Sequence, residues 1–265
     1  MSCRLVVLIA AIGCSACAPP LMKLPSGPST PAGDGRDVAA DATAACRRVT
    51  SMTAEISVSG SVGGQRLRGH MLVGVATPAS VRLEAAAPFG APLFIFVARG
   101  ADATLLLPRD DRVLEHGKPD EVLDAVTGVP LDPADLRDVL TGCAVAPDGA
   151  GARQPAPDWR ILPDGPGHLY MHREGPGGPW RLAATVRQPD HGEGWRAEYR
   201  NFQDGLPQEV RLTSLTPKRF DLRLALTQIE TNVPLGPDAF QVRIPRGAQP
   251  MTLAELRASG PLASR

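Results

Sequence analysis

The 265-residue sequence predicts a mainly β chain with short helices, built as a curved antiparallel sheet or open barrel whose mouth the helices cover. Three observations point there. From Thr53 onward apolar and polar residues alternate through most of the chain, as a strand with one buried face requires. Gly and Pro, 27 of each, break that alternation at short intervals and leave little room for long helices. A helical period enters midway, between Lys118 and Gly142, and once more near the C-terminus.

The elements follow in order. Ile56, Val58 and Val62 face one side of a first strand and Glu55, Ser57, Ser59 and Ser61 the other. Gly63-Gly64 supplies a hairpin turn, and Leu67, Met71, Val73 and Val75 return opposite Arg66, Arg68 and His70. The meander continues through VRLEAAA, PLFIFVA and TLLLP, with TPAS, PFG and RGAD as turns. Lys118 to Val126 then sets Val122, Leu123 and Val126 at helical spacing and stops at Gly128. A second helix is expected in LDPADLRDVLTG: Asp132 caps it, Pro133 suits its first turn, and Gly142 ends it. After a Gly/Pro-rich loop from Ala144 to Pro157, strands resume through WRIL, HLYMH, WRLAATV, WRAEYRNF, EVRLTSL, RFDLRLALT and AFQVRIP, before a helix near Leu253 to Arg257. That makes roughly ten strands.

The N-terminus has a different chemistry. Arg4 precedes an apolar run from Leu5 to Gly13, far short of the about 20 residues a spanning helix needs, so it reads as a secretory signal. Small residues directly before a cysteine resemble the lipobox of bacterial lipoproteins, in which that cysteine is acylated and freed by cleavage. Two cysteines fit, Cys17 after Ser15-Ala16 and Cys14 after Ile12-Gly13. Cysteine arithmetic favours Cys17: Cys3 and Cys14 then leave with the signal, residues 1–16, and the mature chain keeps one pair, Cys46 and Cys143. In an oxidising compartment, with no metal-ligand partners to compete, that pair is expected to form a disulfide. Residues 17–40 are dense in Pro, Gly, Ser and Ala and read as a flexible tether, leaving residues 41–265 as a single domain.

Composition and motifs exclude several functions. Lys and Arg total 28 against 28 Asp and Glu, with no basic block, so nucleic acid is not an expected partner. His168 and His172 are four apart, but on a segment that reads as a strand and without acidic or thiol partners at metal-site spacing, so no metal is expected. Asp110-Asp111 reads as a solvated turn. No Gly-x-Ser-x-Gly, phosphate loop or dinucleotide fingerprint occurs, and neither a catalytic residue nor a cofactor is assigned.

The order of elements carries a resemblance. A strand meander, then APFGAPLFIFVARGADATLLLP, then VLDAVTGVPLDPADLRDVLTG, is similar to the outer-membrane lipoprotein receptor LolB and related LolA-like lipoproteins, in detail from about Thr50 to Gly142. The resemblance implies an incomplete antiparallel β-barrel lidded by helices, with an apolar cavity for the acyl chains of lipoproteins or lipids. It implies an outer-membrane location on the periplasmic face, binding and handover rather than catalysis, and a periplasmic carrier protein as partner. It also places a membrane-contacting side chain in Ala87-Pro88-Phe89-Gly90, at Phe89. The segment beyond Asn232 extends past a short LolB, which leaves a second expectation open: an envelope scaffold or sensor that uses the same barrel to bind a protein.

Acylation of Cys17 is testable directly. One acyl chain holds only marginally and several hold firmly. Cys17→Ser is therefore expected to release the protein in soluble form or leave its signal uncleaved. A fatty-acid label that follows Cys14 instead would overturn the assignment.

Overall fold

The computed structural model of the chain describes residues 20–87, 89–143, 149–189 and 192–259. Cys14 and Cys17 lie outside them. In chain order, β1 (Thr30–Pro31) and α1 (Gly35–Thr43) lead into a first meander of β2 (Ser51–Val62), β3 (Gln65–Ala76), β4 (Ser80–Ala86), β5 (Phe94–Arg99), β6 (Asp102–Leu107) and β7 (Arg112–Gly117). Helices α2 (Pro119–Thr127) and α3 (Pro133–Thr141) follow. A second meander comprises β8 (Arg153–Ala156), β9 (Trp159–Asp164), β10 (Gly167–His172), β11 (Arg181–Arg187), β12 (Trp195–Gln203), β13 (Leu206–Ser214) and β14 (Phe220–Thr231), and then come β15 (Gln249–Pro250) and α4 (Leu253–Ser259).

These strands form one fifteen-stranded sheet, ordered β1, β8 through β14, β2 through β7, β15. The outermost strands do not pair with each other, so the sheet stays open. It is antiparallel throughout except where β15 lies parallel to β7. The second meander starts at the far side and works inward until β14 meets β2 at the centre.

Side-chain period fixes that central register. Phe220, Leu222, Leu224 and Leu226 stand opposite Val62, Gly60, Val58 and Ile56, so both strands put their apolar set on the same face. A slip of one residue would turn the whole set to solvent. Gly60 is required there, since a Cβ would come within 2.0 Å of the Asp221 carbonyl oxygen. The β2–β3 hairpin turns at Gly63 and Gly64 with φ of 56° and 80°, the positive pair that a tight hairpin needs.

Both midway helices start and stop where local chemistry dictates. Asp132 accepts a hydrogen bond from the Asp135 N–H at 2.7 Å, Pro133 occupies the first turn of α3, and Gly142 ends it in the left-handed conformation. In α2, Pro119 opens the helix, Asp120 and Glu121 lie in its first turn, and Gly128 ends it. Val122, Leu123 and Val126 of α2 and Leu136, Val139 and Leu140 of α3 are buried in the main core, together with the inward side chains of the sheet.

Two expectations need correction. The stretch read as a tether across residues 17–40 is docked from Pro20 onward. Met22 N–H donates to both carboxylate oxygens of Glu198, at 3.0 and 3.1 Å, while Arg196 donates to the Met22 carbonyl and Arg200 to that of Pro20. Glu198 is 0% exposed beneath this strap and ion-paired to both arginines. Farther on, β1 pairs with β8, Asp34 binds Arg160 in a two-pronged pair at 2.8 and 2.7 Å, and α1 buries Val38 and Ala39. Polar anchoring, which composition does not report, does the holding.

The second correction concerns AFQVRIP. It forms a 3-10 turn, Pro237–Phe240, followed by unpaired backbone. Arg82 Nη1 reaches across β4 to the carbonyls of Ala239 and Gln241, at 3.3 and 2.9 Å, so a side chain supplies what a neighbouring strand would have. Conversely β7 forms from RVLEHG, where Val113 and Leu114 are both buried and no alternation is visible. The terminal helix is present as α4.

A disulfide joins Cys46 to Cys143, with a Cα separation of 5.4 Å across 97 residues. It ties the segment before β2 to the end of α3 and packs with Leu206. For loops of this size the chain-entropy estimate is about 4.7 kcal/mol, less any strain. Reduction or a Cys46→Ala/Cys143→Ala change is expected to lower stability by several kcal/mol, read by denaturant unfolding. Two free thiols in the unfolded, unreduced protein would show that the bridge does not form.

Candidate functional site: an apolar cavity under the helices

Where α2 and α3 cross the concave face, packing is incomplete and leaves a cavity of about 160 Å³. Its walls come from the sheet centre, with Ile56 and Val58 of β2, Leu83 and Ala85 of β4, Leu212 of β13, and Leu222 and Leu224 of β14. Leu123 and Val126 of α2 and Leu136 and Leu140 of α3 roof it. Such a surface offers an apolar guest dispersion contacts and about 25 cal/mol for each Å² removed from water. It has no polar machinery for bond making. The volume falls below the about 300 Å³ at which ligand pockets usually begin, so a whole acyl chain fits only once the helices shift off the sheet.

The cavity opens at one end of β3. Along the inner face of that strand, Val73 and Val75 are buried, whereas Leu67, Gly69 and Met71 are only half-buried. Leu93 and Ala86 complete the rim. Between these two runs the loop carrying Phe89, which is 89% exposed, the most of any large apolar side chain among the described residues. Arg109 holds the loop by donating from Nη2 to the Phe89 carbonyl at 2.9 Å and from Nε to that of Ala91 at 3.2 Å. Leu93 N–H to the Ala85 carbonyl, at 2.9 Å, closes its base. The backbone is thus fixed while the ring is presented to solvent beside the mouth.

The other flank of α3 is ionised. Asp135 and Asp138, a turn apart, face Asp164 of β9 and Arg187 of β11. Arg187 lies 2.8 Å from an Asp164 oxygen and 3.9 Å from Asp135, and Arg137 lies 3.2 Å from Asp138. Burial pushes Asp135 up to about 6, with Asp132 adding to the shift and Arg187 opposing it. Burial likewise pushes Asp138 up to about 6 against the pull of Arg137. Asp164 is raised by burial, offset by Arg187, and burial raises the Tyr199 phenol behind them.

The remaining sequence-predicted residues are dispersed. His168 and His172 both lie on β10; His172 Nε2 sits 3.3 Å from Asp158 and its ring packs on Trp159, 4.5 Å between centroids. Among the described residues, no group of three or more His, Cys, Asp or Glu is arranged to hold a metal ion. Asp111 sits in the β6–β7 turn with a φ of 49°. Sequence reasoning missed the acidic cluster under α3. Its one local signal, Asp135 and Asp138 at helical spacing, resembles any solvated face, and the partners are distant in sequence.

By sequence, the chain matches no protein-family model and no curated protein. By fold it is similar to solved structures. The crystal structure of a LolA superfamily protein from Nitrosomonas europaea superposes with a TM-score of 0.53 at 10% identity, covering 78% of this chain and 97% of that one. A DUF1329 family protein from Desulfovibrio piger superposes with a TM-score of 0.50 at 12% identity, covering 80% and 97%. At such identity the likeness speaks for fold alone. The chain is a mainly β protein with a LolA-like fold, an open half-barrel wrapped over short helices.

Phe89→Glu separates a surface ring from a core one. Since the ring is exposed, stability is expected to change by no more than about 0.5 kcal/mol. Thermal unfolding reads this, and a loss of several kcal/mol would place the ring in the core.

Proposed function

We propose that this chain is an outer-membrane lipoprotein on the periplasmic face, anchored through Cys17, that binds acyl chains in the half-barrel and assists placement of lipoproteins or lipids. The observation that carries this reading is the aliphatic cavity opening beside a rigidly held, solvent-presented Phe89. A cavity alone describes a loosely filled core. An exposed aromatic ring at its mouth adds a means of meeting a bilayer, where aromatic side chains are at home. The LolA-like fold supports the reading, as does the aliphatic, uncharged character of the cavity walls. Binding and handover need no bond making, and we assign no catalytic residue. A periplasmic carrier protein that delivers the cargo is the partner this role requires.

One observation favours a second reading. The void is small, and a barrel whose interior is filled suits a scaffold or sensor lipoprotein that binds a protein instead. Native mass spectrometry of the chain from residue 18 onward separates the two. A carrier is expected to retain lipid, and Ala85→Phe, which fills the cavity at a cost of about 1 to 3 kcal/mol in stability, is expected to abolish retention. Phe89→Glu should keep the lipid yet slow its transfer to liposomes. A lipid-free spectrum together with a co-purifying protein would replace the carrier reading with the scaffold.

A further inference from the structure

Helix α3 has two working flanks. Leu136 and Leu140 roof the cavity, while Asp135 and Asp138 press against the sheet beside Asp164 and Arg187. Any guest larger than the present void has to lift α2 or α3, so whatever holds the polar flank of α3 governs access. We propose that this cluster is a proton-operated clasp: protonation of Asp135 and Asp138 seats α3 over the cavity, and their ionisation loosens it. The proposal rests on the reading of the cavity as an acyl site.

Charge counting gives the clasp its direction. Asp135, Asp138 and Asp164 face Arg137 and Arg187, so full ionisation leaves one negative charge in excess in a largely water-excluded place. Arg187 cannot satisfy all three. It contacts Asp164 closely, with Nη1 also donating to the Asp164 carbonyl at 3.0 Å, and stands off at 3.9 Å from Asp135. The other groups near the two carboxylates supply no compensating cation. Asp132 caps the same helix, Tyr199 of β12 donates or accepts at 3.4 Å with Thr185, and β4 and β13 turn apolar side chains inward. Lys118, Asp120 and Glu193 line the depression on the solvent side of Asp132 and Asp135. Lys118 is committed to Glu121 at 3.0 Å. Residues 190 and 191 lie outside the described residues.

Both carboxyls stand near 6 when α3 is seated, against the ordinary carboxylate range near 3.9 when it is released. The seated state therefore binds more protons between about pH 4 and 6, is favoured as pH falls through that window, and loses this advantage as pH rises through 6. Cargo exchange is expected to be easier at neutral than at mildly acid pH.

Hydrogen–deuterium exchange on the full purified chain tests this, with amide protection in α3 followed from pH 4.5 to 7.5 and corrected for intrinsic exchange. Protection in α3 should fall at least tenfold across that range while β2 and β14 stay constant. In Asp135→Asn/Asp138→Asn the fall should vanish, with α3 protected throughout. Asp135→Asn alone should halve the fall on a logarithmic scale, which keeps the test readable if the double variant folds poorly. Unchanging protection in the parent, or a fall that survives in the variants, overturns the clasp. Lipid retention is read separately: a chain that holds no lipid yet shows the pH-dependent fall keeps the clasp and loses the carrier reading.

Discussion

The structure depends on covering one aliphatic face. A fifteen-stranded sheet with leucine, valine and isoleucine along its centre cannot leave that face in water, and α2 and α3 are what it closes upon. The sheet curls because strands from both meanders reach the same two helices. The fit is close at the hinge between layers: a Cβ on Gly117, where β7 ends, would come within 2.4 Å of Val122 in α2. Where the fit relaxes, at the β3 end, a cavity remains. Cover and cavity are thus one arrangement, and a protein that must admit a guest has its weakest packing where its helices roof the sheet.

What was legible in the sequence was what adjacent residues decide. Alternation in RFDLRLALT, the paired glycines 63 and 64, and the Asp132, Pro133 and Gly142 punctuation of α3 act over a few residues, and each appears where expected. AFQVRIP alternates equally well and is no strand, because Arg82 takes its carbonyls before any neighbouring strand does. The segment from Pro20 looked like slack chain because its fixity resides in Glu198, some 170 residues away in sequence. In the site, Phe89 was legible because a Pro-Phe-Gly loop presents its ring locally. The size of the cavity and the acidic cluster were not, since both are sums over strands far apart along the chain.

Polar groups do a particular job in this fold. Glu198 with Arg196 and Arg200, Asp34 with Arg160, and Asp164 with Arg187 each join a peripheral segment or a helix to the sheet. Buried ion pairs seldom add much net stability, because desolvation offsets their attraction. They do penalise misplacement, since a shifted segment strands a charge without its partner. Apolar contacts hold the layers together here, and ionic contacts set where each attached piece sits.

The central seam has a consequence for how the chain comes to be folded. β2 lies near the start of the body and β14 near its end, yet they are immediate neighbours, with Val62 against Phe220. The first meander can assemble as it emerges, but its inner border, β2, stays open until almost the whole polypeptide is available. Such contact order makes folding slow, because a long loop must close before the pairing rewards it. During that wait an unpaired strand with one aliphatic face is an invitation to foreign strands. A chain of this topology needs protection until its last long strand arrives, and shortening it from the C-terminal side beyond β14 leaves two open borders where the complete protein has its middle.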